Sequence, residues 1–194
     1  MRDIELAIEC LRRGEVIITP SESSYGLSCD AYNMPAVAKL NALKGRTNMP
    51  LTVLVADLAQ IEDFGVLNPL AIHLSGFFHP GPLNLIIELK DPTMFSYLSP
   101  NGVAFRIPAD HTLRSLIQEY NHPITTTSAN THGMPPLYKI DEVKEHFSRS
   151  VCTIISSGDL MEGTLPSTVF DTRDAHVVRQ GPVTEEQINQ VLNR

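Results

Sequence analysis

Two stretches of the chain carry residue types that could do chemistry. Lys44-Gly45-Arg46 places two cations on either side of a glycine, just past an expected helix end. Thr125-Thr126-Thr127-Ser128-Ala129-Asn130 is a run of short hydroxyl and amide side chains, just past an expected buried strand. Fixed positive charge beside many short hydrogen-bonding groups is what a polyphosphate with a polar co-substrate requires. Each stretch also has a plain structural use. Lys-Gly-Arg can end a helix, its cations complementing the dipole, and a Thr/Ser/Asn run can be a loop. Spacing alone leaves both readings open.

The same pattern recurs at other element ends. Ser21-Glu22-Ser23, Arg106, Ser167-Thr168 and Arg179 all put a hydroxyl or a cation where an element starts or stops. Arg106 lies within the apolar run Val103 to Ile107, and a strand arginine is rarely buried unless it holds an anion. The alternative is an edge position with the head group in water. If these ends converge, they form an anion cradle that works by positioning and charge stabilisation. Other machinery is missing from the sequence. There is no Gly-x-x-x-x-Gly-Lys-Ser/Thr loop, Gly-x-Gly-x-x-Gly or Gly-x-Ser-x-Gly. No His-Glu-x-x-His occurs, and His73 and His79 lack a third ligand, so no metal site is expected and both read as core or surface residues.

The elements that must position these groups follow from periodicity and caps. Asp3 caps a helix over 4–11 that Gly14 stops. Val16 to Thr19 reads as a buried strand, and Pro20 to Leu27 as the polar loop leaving it. Asn33 and Pro35 start a helix that ends at Lys44. Leu51 to Ala56 is a strand, apolar except for Thr52. Asp57 caps a short helix through Phe64, and Asn68-Pro69 caps another. His79-Pro80-Gly81-Pro82 is a break between that helix and a strand over Leu83 to Leu89. Asp110 caps a helix through Tyr120, and a short helix covers Asp141 to Phe147. Further strands are read at Val151 to Ile155, from Pro166 to Phe170 and from His176 to Arg179. Thr184 and Gln187 form a capping box for the last helix. Strands and helices alternate without strict regularity, which predicts a single α/β (α+β-like) domain with a twisted mixed sheet flanked by helices.

Composition narrows the partners. The 194 residues carry a net charge of −7, and 42% are hydrophobic. That fits a folded domain and disfavours a general nucleic-acid or anionic-membrane binder. The three cysteines, Cys10, Cys29 and Cys152, are odd in number and widely spaced, which predicts free thiols in a reducing compartment. The charged start, without an apolar core, and the lack of a membrane-length apolar run predict a cytoplasmic protein.

Taken in order, the motifs resemble those of the YrdC/TsaC family. Pro20-Ser21-Glu22-Ser23-Ser24-Tyr25-Gly26-Leu27 is similar to the family's Pro-Thr-Glu-Thr-x-Tyr-Gly-Leu signature. Lys44-x-Arg46 and Ser128-x-Asn130 match its Lys-x-Arg and Ser-x-Asn pairs. Pro80-Gly81-Pro82, Val103 to Pro108, Ser167-Thr168-Val169 and Val178-Arg179-Gln180-Gly181 match further blocks. No single block is specific, but their order over residues 4–183 is. The resemblance implies a YrdC/RibB-like fold with a large concave cavity, as one domain over 1–194 with a C-terminal helix in 184–194. Some relatives carry a further C-terminal domain, which is not expected here.

The resemblance also implies an activity: L-threonylcarbamoyladenylate synthesis from L-threonine, bicarbonate and ATP, with release of pyrophosphate. The product would pass to a transferase complex that makes threonylcarbamoyladenosine in tRNA. By motif position, Lys44, Arg46, Ser128 and Asn130 would be catalytic and, with Arg179, would bind ATP. Ser23, Arg106, Thr126 and Ser167 would bind threonine. Mg²⁺ would arrive with ATP. Some positions depart from the family. Ser21 and Ser23 replace the usual threonines, and the stretch after Arg46 looks one residue short, with Met49 in a polar place. Leu54 stands where some members have a histidine, His79 replaces a tryptophan and Asn84 a threonine. The alternative reading is a double-stranded RNA or tRNA-binding module without catalysis, disfavoured by the net charge.

Overall fold

The computed structural model describes residues 2–45, 50–99 and 102–193. Its helices begin and end at the residues whose side chains can replace missing backbone partners. Helix α1 (Arg2–Arg12) buries Ala7, Ile8, Cys10 and Leu11 on one face. Helix α2 (Met34–Lys44) starts at Asn33, whose side chain accepts from the Ala36 N–H at 3.0 Å. It stops at Gly45, whose φ of +68° is a left-handed turn that glycine enters without a Cβ clash. Helices α3 (Pro69–Phe78), α4 (His111–Tyr120), α5 (Ile140–Phe147) and α6 (Glu185–Leu192) complete the set among the described residues. Asn68 and Asp110 cap α3 and α4, and the Thr184–Gln187 capping box opens α6.

The strands are β1 (Ile17–Thr19), β2 (Gly26–Asp30), β3 (Thr52–Leu54), β4 (Gly65–Val66), β5 (Leu83–Leu89), β6 (Val103–Arg106), β7 (Ile124–Ser128), β8 (Thr168–Asp171) and β9 (His176–Arg179). They form one mixed sheet in the order β1-β2-β7-β3-β6-β5-β8-β9, with β4 beside β5. The β3–β6 and β5–β8 pairs are parallel and the others antiparallel.

Side chains alternate across a sheet, so register decides the face. One face carries Ile18, Leu27, Cys29, Val53, Val55, Phe105, Leu83, Leu85 and Phe170, and it packs into the larger core with residues of α2, α3 and α6. The other face is divided along its length. At one end Ile17, Leu54 and Ile124 pack under α1 and α4 in a second core. The remaining positions on that face are Ser28, Thr126, Ser128, Thr52, Arg106 and Asn84, with Arg106 beside Leu54 at the boundary, and none of them belongs to the second core. Polar residues on a covered face would each need a partner. Here Ser28 has Thr19 and Thr126 as partners, and the other five line a cavity.

Several expectations are corrected. Gly26 and Leu27 belong to β2 rather than to the loop, since Tyr25 ends the polar turn and pairing with β7 begins at Gly26. Thr125 to Ser128 lie within β7, not past it. The stretch 57–64 forms only a 3₁₀ turn at Ala59–Ile61. The stretch 151–155 makes one isolated bridge, Ile154 to Ile18, rather than a strand. Cys10 and Cys152 are not free thiols: they form a disulfide with Cα atoms 6.0 Å apart. They meet because α1 leads into β1, and residues 152–155 run beside β1 through the Cys152 N–H to Val16 O bond of 2.8 Å. Cys29 is the buried free thiol, its pKa pushed up by burial and by Asp30. Among the described residues, no helix is long and apolar enough to cross a membrane.

Candidate active site

The cavity over the polar end of the sheet has a volume of about 650 Å³. Ser23, Lys44, Arg106, Thr126, Ser128, Asn130, Ser167 and Arg179, named from the sequence as site residues, all line it. Arg46 lies outside the described residues.

Lys44 is the last residue of α2 and is only 3% exposed. Its Nζ donates to Ser128 O at 2.7 Å, to Ser128 Oγ at 2.9 Å and to Asn130 Oδ1. Ser128 Oγ also donates to Asn130 Oδ1 at 2.7 Å, and Asn130 Nδ2 is anchored on Met134 O. The His132 N–H closes on Lys44 O at 2.8 Å, so the helix end and the segment after β7 are tied from both sides. The lysine is therefore no solvated cap. It is an ammonium held in place by oxygens, with its position set before any ligand arrives.

Arg106 ends β6 with 5% exposure, and Nη1 donates to Glu22 Oε2 at 2.8 Å. Glu22 Oε1 accepts the Ala109 N–H. Burial alone would push the Glu22 carboxyl up, but the Arg106 guanidinium and backbone N–H groups together hold it below the usual carboxylate range. One nitrogen of a five-donor fork is used in this pair, and the pair fixes the plane of the fork at the cavity wall. Behind Arg106, His79 is held between Ser75 Oγ and Leu83 O, each at 2.7 Å. The carbonyl can only accept, so Nε2 carries the hydrogen and Nδ1 accepts from Ser75. Burial drives its pKa down to about 4, which keeps the ring neutral beside the arginine.

The loop 21–24 is self-locked. Ser21 Oγ donates to Ser24 O at 2.7 Å and accepts the Ser23 and Ser24 N–H groups, both at 3.3 Å. Tyr25, fully buried, donates its hydroxyl to Gly158 O at 2.6 Å and ties the loop to the 156–158 turn. On the floor, Thr126 Oγ1 donates to Leu27 O at 3.3 Å and accepts from Ser28 Oγ at 3.1 Å, with Thr19 Oγ1 2.9 Å further back. Gly26 makes this possible, since a Cβ there would stand 2.7 Å from Thr126 Oγ1. At the far rim Arg179 clamps Ser167 O through Nη2 at 2.7 Å and Nε at 3.2 Å. The 166–168 segment lies so close to Gly181 that a Cβ there would be 2.2 Å from Pro166 O.

Three residues that shape the site were given no role from the sequence alone. Glu22 was visible within the Ser21-Glu22-Ser23 loop, but its partner lies 84 residues away. Thr52 was the one polar residue of its strand, and Asn84 was a departure from the motif pattern. Asn84 Nδ2 donates to Thr52 Oγ1 at 3.0 Å. The described lining carries three cations, Lys44, Arg106 and Arg179, among hydroxyls and amides, without a carboxylate. Nor do the described residues contain a cluster of three or more His, Cys, Asp or Glu able to hold a metal ion. The donor set fits anionic ligands and does not fit a protein-held metal.

Comparison with known proteins gives consistent results. The family model Sua5_yciO_yrdC, described as "Telomere recombination", matches residues 9–181. A Bacillus subtilis protein named threonylcarbamoyl-AMP synthase is 36% identical over 97% of this chain and 56% of its own length. The structure of P. abyssi Sua5 complexed with L-threonine superposes with a TM-score of 0.89 at 31% identity, over 97% of this chain and 57% of that one. E. coli YciO superposes with a TM-score of 0.82 at 25% identity, over 94% and 92%. The chain thus spans little more than half the length of the first two relatives.

Proposed function

The chain belongs to the Sua5/YciO/YrdC family, and from that membership we propose that it is a threonylcarbamoyl-AMP synthase. One observation carries the reading to this chain's own residues: the immobilised ammonium of Lys44 and the braced guanidinium of Arg106 open onto the same cavity. One such cation suits a nucleotide phosphate and the other an amino-acid carboxylate.

The reaction proceeds in two steps. The neutral amine of L-threonine attacks the carbon of bicarbonate, water leaves, and an N-carboxylate forms. An oxygen of that carboxylate attacks the α-phosphorus of ATP, and the bond to the β-phosphate oxygen breaks to release pyrophosphate. Negative charge grows on the α-phosphoryl oxygens and on the leaving oxygen. Lys44 meets that charge from a fixed position, with no reorganisation at the moment of reaction. Ser128 and Asn130 hold the lysine and present hydroxyl and amide groups to the nucleotide. Arg46 and Arg179 add charge for the phosphates. Arg106 binds the threonine carboxylate through its free fork edge, aimed by Glu22, while Ser23, Thr126 and Ser167 surround the rest of the amino acid. Mg²⁺ would arrive bound to the phosphates of ATP and supply further charge neutralisation there. This reading implies a cytoplasmic site of action, with the product handed to a transferase that modifies tRNA.

The test is pyrophosphate release measured with ATP, L-threonine and bicarbonate, and with each omitted in turn. Release is expected only when all three are present. ATP cleavage indifferent to threonine would overturn the reading.

A further inference from the structure

The described residues contain one buried side-chain polar atom without a hydrogen-bond partner, Asn84 Oδ1. Asn84 is 5% exposed and lines the cavity. Its amide nitrogen is spent on Thr52 Oγ1, which holds the carbonyl end in place. A buried unpaired amide oxygen is destabilising. Orphans of this kind are rare in folded proteins and call for an explanation, of which a missing ligand is one.

Register says what sits beside it. Leu85 on β5 faces Phe105 on β6, so one residue further along that antiparallel pair Asn84 comes level with Arg106. Both line the cavity, and so does Thr52, which pairs with Ala104 two residues before Arg106 on the same face of the sheet. Residues facing each other in such a pair have Cα atoms about 4.5–5.5 Å apart. A cation and a neutral acceptor on neighbouring strands of one cavity-facing surface suit the two ends of an α-amino acid. The carboxylate takes the guanidinium, and the amino nitrogen is the next polar atom along the ligand.

We propose that Asn84 Oδ1 accepts a hydrogen bond from the amino nitrogen of the amino-acid substrate, and from the N–H that remains after carboxylation. This rests on the synthase reading above and adds to it a residue that selects and orients the attacking group. The amide suits the task because it is neutral. An aspartate there would pair with Arg106 and favour the ammonium, which has no lone pair for attack. A carboxamide oxygen accepts equally from amine and carbamate, and holds the nitrogen lone pair away from itself.

The experiment compares L-threonine with 3-hydroxybutanoate, the same ligand without its amino group, by calorimetric titration of the full chain. Asn84→Leu keeps the volume and removes the acceptor. It should weaken threonine about tenfold, the scale of one hydrogen bond to a charged donor. It should leave 3-hydroxybutanoate, and the KM for ATP in the pyrophosphate assay, within about twofold by the same reasoning, and raise the Tm by deleting the orphan. Equal weakening of both ligands, or of neither, overturns the inference while leaving the synthase reading standing. Wild-type protein that binds no threonine overturns both. Should Asn84→Leu not fold, Asn84→Asp decides. It should weaken threonine binding, since its carboxylate competes for Arg106, and move the pH profile of kcat/KM for threonine to higher pH, because the carboxylate holds the amine protonated. An unmoved profile overturns the inference.

Discussion

Replacing Glu22 by glutamine is the sharpest probe of how the site is held. The substitution keeps the shape of the side chain and removes its charge. Two donors converge on the carboxylate, Arg106 Nη1 at 2.8 Å on Oε2 and the Ala109 N–H on Oε1. A carboxamide has one acceptor oxygen, so one donor must face an NH₂ group. Both side chains are largely buried, Arg106 at 6% and Glu22 at 22% exposed, so water repairs the loss poorly. Leaving one partner of a charge-assisted pair unmatched should cost about 2 kcal/mol of folding stability. The pH dependence identifies the cause. The folded carboxyl has a pKa below its ordinary 4.5, so its contribution is complete above that value. It is lost as the pH falls through the folded pKa, where Glu22 becomes protonated and resembles glutamine. Urea unfolding of both proteins should therefore differ by about 2 kcal/mol at neutral pH and converge in acid well below 4.5. The KM for threonine should rise in the variant while the KM for ATP stays put. A stability gap that persists unchanged in acid, or none at neutral pH, would refute the argument.

Other outcomes follow from the same coordinates. Lys44→Met should fold and bind threonine but lose at least about a hundredfold in kcat for pyrophosphate release, since it removes the fixed charge at the phosphate; turnover near that of wild type would exclude the lysine from the site. His79 is held neutral with a pKa of about 4. Its folded pKa is depressed from 6.5, so the unfolded chain takes up the proton first and stability falls as pH drops from 6.5 towards 4. The loss should be roughly 2–3 kcal/mol, read by chemical unfolding across that window, and His79→Gln should flatten it. Denatured but unreduced protein should show one reactive thiol, Cys29, and three after reduction. Three thiols before reduction, with Tm indifferent to reductant, would exclude the Cys10–Cys152 bridge.

Much of the local structure was legible because its causes are local. Asn33, Asn68, Asp110 and Thr184 cap helices within four residues of themselves, and Leu83 to Leu89, His111 to Tyr120 and His176 to Arg179 match their expected bounds. The misread segments are those where long-range pairing overrides local preference. Gly26 and Leu27 look like a turn, yet β7 recruits them to the sheet. Val151 to Ile155 has strand composition but finds only the edge of β1 and makes a single bridge there. The cysteine reading failed for a similar reason: a pairing across 142 residues leaves no mark in spacing.

The chain's own order of residues determined which chemical groups were on hand: two cations around Gly45, a hydroxyl run, a strand arginine, and an ordered set of blocks resembling one family. Tertiary structure decided which of those groups meet. Lys44 reaches Ser128 across 84 residues, and Arg106 reaches Glu22 across another 84. It also decided that Lys44 is buried rather than solvated, and that Asn84 keeps an unpaired oxygen in the cavity. Alternation along a strand tells inward from outward residues, but it cannot say which strands lie side by side. Strand order is fixed by packing the whole sheet between two cores, and the cavity exists where α1 and α4 stop short of covering it.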